Sequence, residues 1–118
     1  MKKCIVFPAN RGVPFCVDVP KDISCAWIAK NIGCEWVEIV RPRRLPKGCV
    51  MVVDEEGLLK PNALNEVGSW WYGTDTHGEP IVGNIMILKE VMGPEGLEFG
   101  GLTDKDVNAV FDSIGKEE

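Results

Sequence analysis

The chain is 118 residues long, 45% hydrophobic and 26% charged, the size and balance of one globular domain, 1–118, with a single core. No apolar run approaches the roughly 18 residues that a bilayer span requires, so no membrane segment is expected. The net charge of −5 is uneven: residues 1–59 carry +2 and residues 60–118 carry −7, and the acidic second half opposes the clustered positive charge that duplex nucleic acid demands.

Taken in chain order, "KCIVF" (3–7) and "FCVDV" (15–19) are short strand-like runs, and the Pro, Asn and Gly between them predict a hairpin. The opening lysines are not followed by a signal-like apolar run, which stops after Phe7, so the segment reads as the first strand of a cytosolic protein. "KDISCAWIAKNIGC" predicts a helix of about three turns, with Asp22 as candidate N-cap and Gly33 as terminator. "EWVEIV" (35–40) alternates as a strand does, placing Val37 and Ile39 on one face and Trp36, Glu38 and Val40 on the other. "CVMVV" (49–53) has the continuous apolar character of a central strand, and "DEEG" after it reads as a turn.

Residues 57–80 hold no long periodic segment, so this stretch is either functional or contains a short helix such as "PNALNEV". "PIVGNIMILKEV" (80–91) predicts the best-buried strand, with Gly83 marking a bulge or a close approach. Beyond the glycine-rich "MGPEGLEFGG", Thr103 stands three residues ahead of Asp106, and Val107, Val110, Phe111 and Ile114 follow at helical spacing. The expected fold class is α+β: a mainly antiparallel sheet of about five strands with two helices packed on it.

Five cysteines without a Cys-x-x-Cys pair, beside a single histidine, His77, argue against a zinc site and fit reduced, packed thiols. Cys34 and Cys49 border loops and are the candidates for reactivity, yet no histidine base is close in sequence. Two segments do carry recognition chemistry. The loop "RPRRLPKG" (41–48) groups Arg41, Arg43 and Arg44, whose guanidinium forks suit phosphate; the plainer reading is a solvated hairpin loop whose charges discourage edge pairing. In "SWWYG", Trp70, Trp71 and Tyr72 cannot all face inward from an extended chain. They either stack on a base or partner, or close over an open sheet face. The carboxylates of Asp54, Glu55 and Glu56 diverge from one turn, as do Asp75, His77 and Glu79, so metal binding and hydrolysis are weakly supported.

"VVDEEGLLKPNALN", "GCEWVEIV", "PIVGNIMIL" and "LTDKDV" together resemble the short phage and mobile-element proteins grouped as a domain of unknown function, family 3846. The resemblance extends over nearly the whole chain. It departs before the Glu-containing strand, where a paired glycine is expected and "IGCEW" stands. The resemblance implies a small accessory protein acting in the cytoplasm, of the host cell if phage-encoded, without established catalytic residues.

The functional expectation is a non-enzymatic binding protein, a homo-oligomer needing no cofactor or metal, that sequesters a small anionic ligand such as a nucleotide signal of host defence. Arg41, Arg43 and Arg44 would meet phosphates, Trp70, Trp71 or Tyr72 would stack, and Asn62 and Asn65 would donate amide hydrogen bonds. The alternative is a protein-interaction module that inhibits a host protein through the acidic half and exposed aromatics. A hydrolase using Asp54, Glu55 or Glu56 is the third reading.

Overall fold

Continuous apolar runs cannot show a polar face to water, so the strands they form must be covered on both sides. The computed structural model, which describes residues 2–76 and 78–114, has that arrangement. In chain order the elements are β1 (Lys3–Phe7), β2 (Phe15–Asp18), α1 (Cys25–Ile32), β3 (Val37–Val40), β4 (Cys49–Asp54), α2 (Glu66–Tyr72), β5 (Ile85–Gly93), β6 (Gly96–Gly100) and α3 (Asp104–Asp112), with a 3-10 turn at Gly57–Leu59.

The strands form one sheet in the order β2–β1–β5–β4–β3, every pair antiparallel. β5 is the longest strand and has two partners along one edge. Its first residues pair with β1, Ile5 opposite Ile87, and its later residues pair with β6, Met92 opposite Leu97. A bridge between Lys3 and Leu102 joins the ends of those two partners.

Alternation sorts the side chains into two cores. Cys4, Val6, Val50, Val52, Met86 and Leu88 pack under Ile28 and Ile32 of α1. On the other face, Ile5, Phe7, Met51, Val53, Ile85 and Ile87 pack with Trp71 of α2 and Val110 of α3. The sheet is therefore a middle layer between α1 and the α2–α3 pair. No helix among the described residues is long and apolar enough to cross a membrane.

The α+β class and the mainly antiparallel sheet match the sequence expectation; the sheet has six strands and three flanking helices rather than five and two. The additional strand is β6, in the glycine-rich stretch: Gly93 pairs with Gly96 across a two-residue turn. The additional helix is α2, and the aromatic segment is its body rather than an extended loop. Asn65 caps its start by accepting from Gly68 N–H at 2.9 Å, and Gly73 ends it in the left-handed region, φ 87°, where only glycine is unstrained. At the first helix, Ser24 rather than Asp22 is the N-cap, its Oγ accepting from Trp27 N–H at 3.1 Å.

Candidate functional site

Helices α2 and α3 are short, and together they do not cover the whole second face of the sheet. Glu38 and Val40 of β3 point to that face, opposite Val53 and Met51 of β4, with Glu38 exposed and Val40 only half-buried. The uncovered strip is the floor of a cleft of about 520 Å³, within the usual range for small-molecule sites. Its far wall is Tyr72 at the end of α2 and the segment 78–82. Gly78 sits at φ 72°, where an added Cβ would lie 2.6 Å from Tyr72 Cε2, so glycine lets this segment close against the tyrosine ring.

A second cleft of about 270 Å³ opens on the other side of Arg41 and Tyr72. Both clefts share Val40, Arg41 and Tyr72, and the second adds Arg43, Arg44 and Thr76. The two differ in charge. Glu38, Asp54, Glu55 and Glu79 line the larger one, whereas among the described residues only arginines supply charge to the smaller.

The three arginines have different environments. Arg41 makes a two-pronged pair with Glu90, at 2.9 Å from Nε and 2.7 Å from Nη2; that hydrogen bond holds the Glu90 carboxyl below its ordinary range and raises Arg41. Two of the five guanidinium protons are used, and Glu90 holds the group beside a third cleft, which Arg41, Arg43 and Glu90 line together. Arg44 is a strut. Its guanidinium stacks on Trp70 at 3.9 Å, donates to the Trp70 carbonyl at 2.7 Å and grips Asp75 at 2.8 and 3.2 Å. It thereby ties the basic loop to the carbonyl end of α2, where a cation is favoured. Arg43 is exposed and has no ion pair among the described residues.

The other sequence candidates divide sharply. Trp71 is 1% exposed, meets Phe7 edge-to-face at 4.9 Å and donates from Nε1 to Ser113 Oγ at 3.0 Å, so it is core rather than a stacking surface. Trp70 is half-buried beneath Arg44, and its Nε1 is buried without a hydrogen-bond partner among the described residues. Asn65 is 1% exposed and committed to the scaffold: Nδ2 donates to the carbonyls of Phe7 and Gly83, both at 2.9 Å, while Oδ1 caps α2. Asn62 lies away from the arginines, at a small recess near Gly83, and donates to the Gly57 carbonyl at 3.3 Å. Arg41, Arg43, Arg44 and Tyr72 thus come together, with Trp70 under Arg44 and the buried Trp71 at the base of the same cleft; Asn62 and Asn65 do not join them.

Sequence reading named Glu55 and Glu79 only as members of separate turns and missed both Glu38 and the wall the three form, because they come from distant segments. Strand register was the one usable signal, since it places Glu38 on the open face. Asp54 is neutralised by Lys60 at 2.9 Å and fixes the turn by accepting from Glu56 N–H. No three potential metal ligands converge among the described residues; His77 lies outside them. Burial pushes Cys34 and Cys49 above the ordinary thiol range, which lowers the thiolate fraction of both.

A family model described as Domain of unknown function (DUF3846) matches residues 3–115. No curated protein matches the chain, and no solved structure does.

Proposed function

We propose, from the premise that the chain belongs to the DUF3846 family, that this protein is a non-enzymatic binder of a small anionic, nucleotide-like ligand. The observation that carries the reading is the smaller cleft, where Arg41, Arg43 and Arg44 meet beside Tyr72. Arg43 receives a phosphate in forked geometry, with Arg41 adding positive charge beside it. Arg44 shapes the cleft by holding the loop on α2, and Tyr72 offers a ring for stacking. In the phage or mobile-element setting that the family resemblance implies, the ligand is a signal of host defence, withdrawn from its receptor in the host cytoplasm.

The test is calorimetry with pyrophosphate and a panel of nucleoside monophosphates on the wild type and on Arg41→Ala/Arg43→Ala. Binding lost in a variant with unchanged circular dichroism is the expected result, because both side chains are on the surface. Equal affinity in the variant would sink the assignment.

A second reading, contact with another protein chain, is favoured by the β5–β6 hairpin. Met92 and Leu97 face each other across the ladder and are 77% and 61% exposed, an apolar pair outside both cores. Met92→Ser/Leu97→Ser should abolish self-association, or capture of a host protein, without loss of stability. Sedimentation of the two forms checks the first; identical sedimentation and identical capture would remove this reading.

A further inference from the structure

The larger cleft has the wrong charge for a phosphate, since four carboxylate residues line it against Arg41. Val40 and Val53 lie on its floor and Tyr72, Ile81 and Val82 on its walls, a slot with apolar surface against which a flat ring can lie and a polar rim around it. Glu38, Glu55 and Glu79 also line it, and none has an ion pair among the described residues. Ionised carboxylates only accept hydrogen bonds, so they repel an anion and select a group bearing N–H or O–H donors. The slot adjoins the arginine cleft across Arg41 and Tyr72, so one ligand can reach both.

We infer that the ligand is amphoteric: its phosphate lies at Arg43, while a nucleobase carrying an exocyclic amine beside a ring N–H enters the slot and is read by Glu38 and Glu79. This rests on the binding function proposed above and specifies the ligand's other end. Two adjacent N–H donors match the two oxygens of one carboxylate, the geometry of the strongest side-chain pairs. Guanine has that edge. Hypoxanthine lacks the amine, and uracil offers a single ring N–H flanked by carbonyls that a carboxylate would repel.

The experiment measures affinities of GMP, IMP, UMP and pyrophosphate for the wild type, Glu38→Gln/Glu79→Gln and Arg41→Ala/Arg43→Ala. The expected wild-type preference for GMP over IMP is about tenfold or more, the effect of one charge-assisted hydrogen bond. Glu38→Gln/Glu79→Gln should reduce that preference to within about threefold while pyrophosphate binds as well or better, since a repelling charge has gone. Both glutamates are exposed, and Glu38→Gln alone serves if the double variant folds poorly. Wild-type affinities for GMP, IMP and pyrophosphate within about threefold of one another, all lost in Arg41→Ala/Arg43→Ala, would overturn this inference and leave the anion-binding function standing. A GMP preference that survives the glutamine substitutions would also overturn it. No binding of any of the four would remove both.

Discussion

Asn65 shows how a single residue can look like a ligand contact and serve the fold instead. Its amide answers three backbone groups at once: the Phe7 carbonyl at the end of β1, the Gly83 carbonyl before β5 and the Gly68 N–H in the first turn of α2. Asn65→Ala should destabilise the protein by about 2–4 kcal/mol, the loss of a cap together with two buried carbonyls left unpaired. Asn65→Asp keeps the acceptor for Gly68 but loses both donors, so urea titration should place it close to Asn65→Ala. An Asp variant as stable as wild type would show that the two carbonyls contribute little. The sequence marks Asn65 as noteworthy without separating these roles, because a polar residue among loop-forming neighbours reads the same whether its partners are a ligand or backbone.

At the level of elements, α3 was legible, whereas the short helix offered at 61–67 stands at Glu66–Tyr72 as α2, for reasons of length and composition. The Thr103–Asp106 pair forms a reciprocal capping box: Asp106 Oδ2 accepts from Thr103 N–H at 2.9 Å, and Thr103 Oγ1 accepts from Asp106 N–H at 3.2 Å. The Thr103 N–H, chiefly, holds the Asp106 carboxyl below its ordinary value of 3.8, with Thr103 Oγ1 and Lys89 assisting against burial. A carboxyl depressed in the folded state stabilises fully above its unfolded pKa and loses that contribution as pH falls through the folded value. Asp106→Asn should therefore cost about 1 kcal/mol near neutral pH, and its melting temperature should converge on wild type as the solution is acidified below pH 3.8. A gap independent of pH would place the contribution elsewhere. α2 is only seven residues long, carries Gly68 and two adjacent tryptophans, and offers no periodic stripe; its signals were the cap Asn65 and the terminator Gly73. β6 hid for a related reason, since its glycines have low strand preference and only the Met92–Leu97 pairing reveals it. The basic half of the candidate site was readable because Arg41, Arg43 and Arg44 share one loop. Its acidic half needed the third dimension.

For the whole molecule, the two cores on opposite faces of one sheet can be followed through their thiols. Cys4 belongs to the α1 side and is fully buried, its pKa pushed up to about 11 chiefly by that burial; Cys49 belongs to the α2–α3 side. Cys16 and Cys25 are exposed. An aromatic disulfide reagent should modify Cys16 and Cys25 quickly, Cys34 more slowly, and Cys4 and Cys49 together at the rate of global unfolding. Mass spectra showing Cys49 labelled well ahead of Cys4 would mean that the α2–α3 layer opens independently. The order of strands has a further consequence, for the chain as it is made. Strands β1 and β2 leave the ribosome as one hairpin and β3 and β4 as another, yet the strand that lies between them, β5, is translated only later. Until residue 85 emerges, the nascent chain holds two apolar ribbons, each with an unzipped inner edge, and no shared sheet. Translation through β5 is thus the moment at which two separate hairpins become one protein, and a pause just before it would prolong the interval most open to chaperones or aggregation.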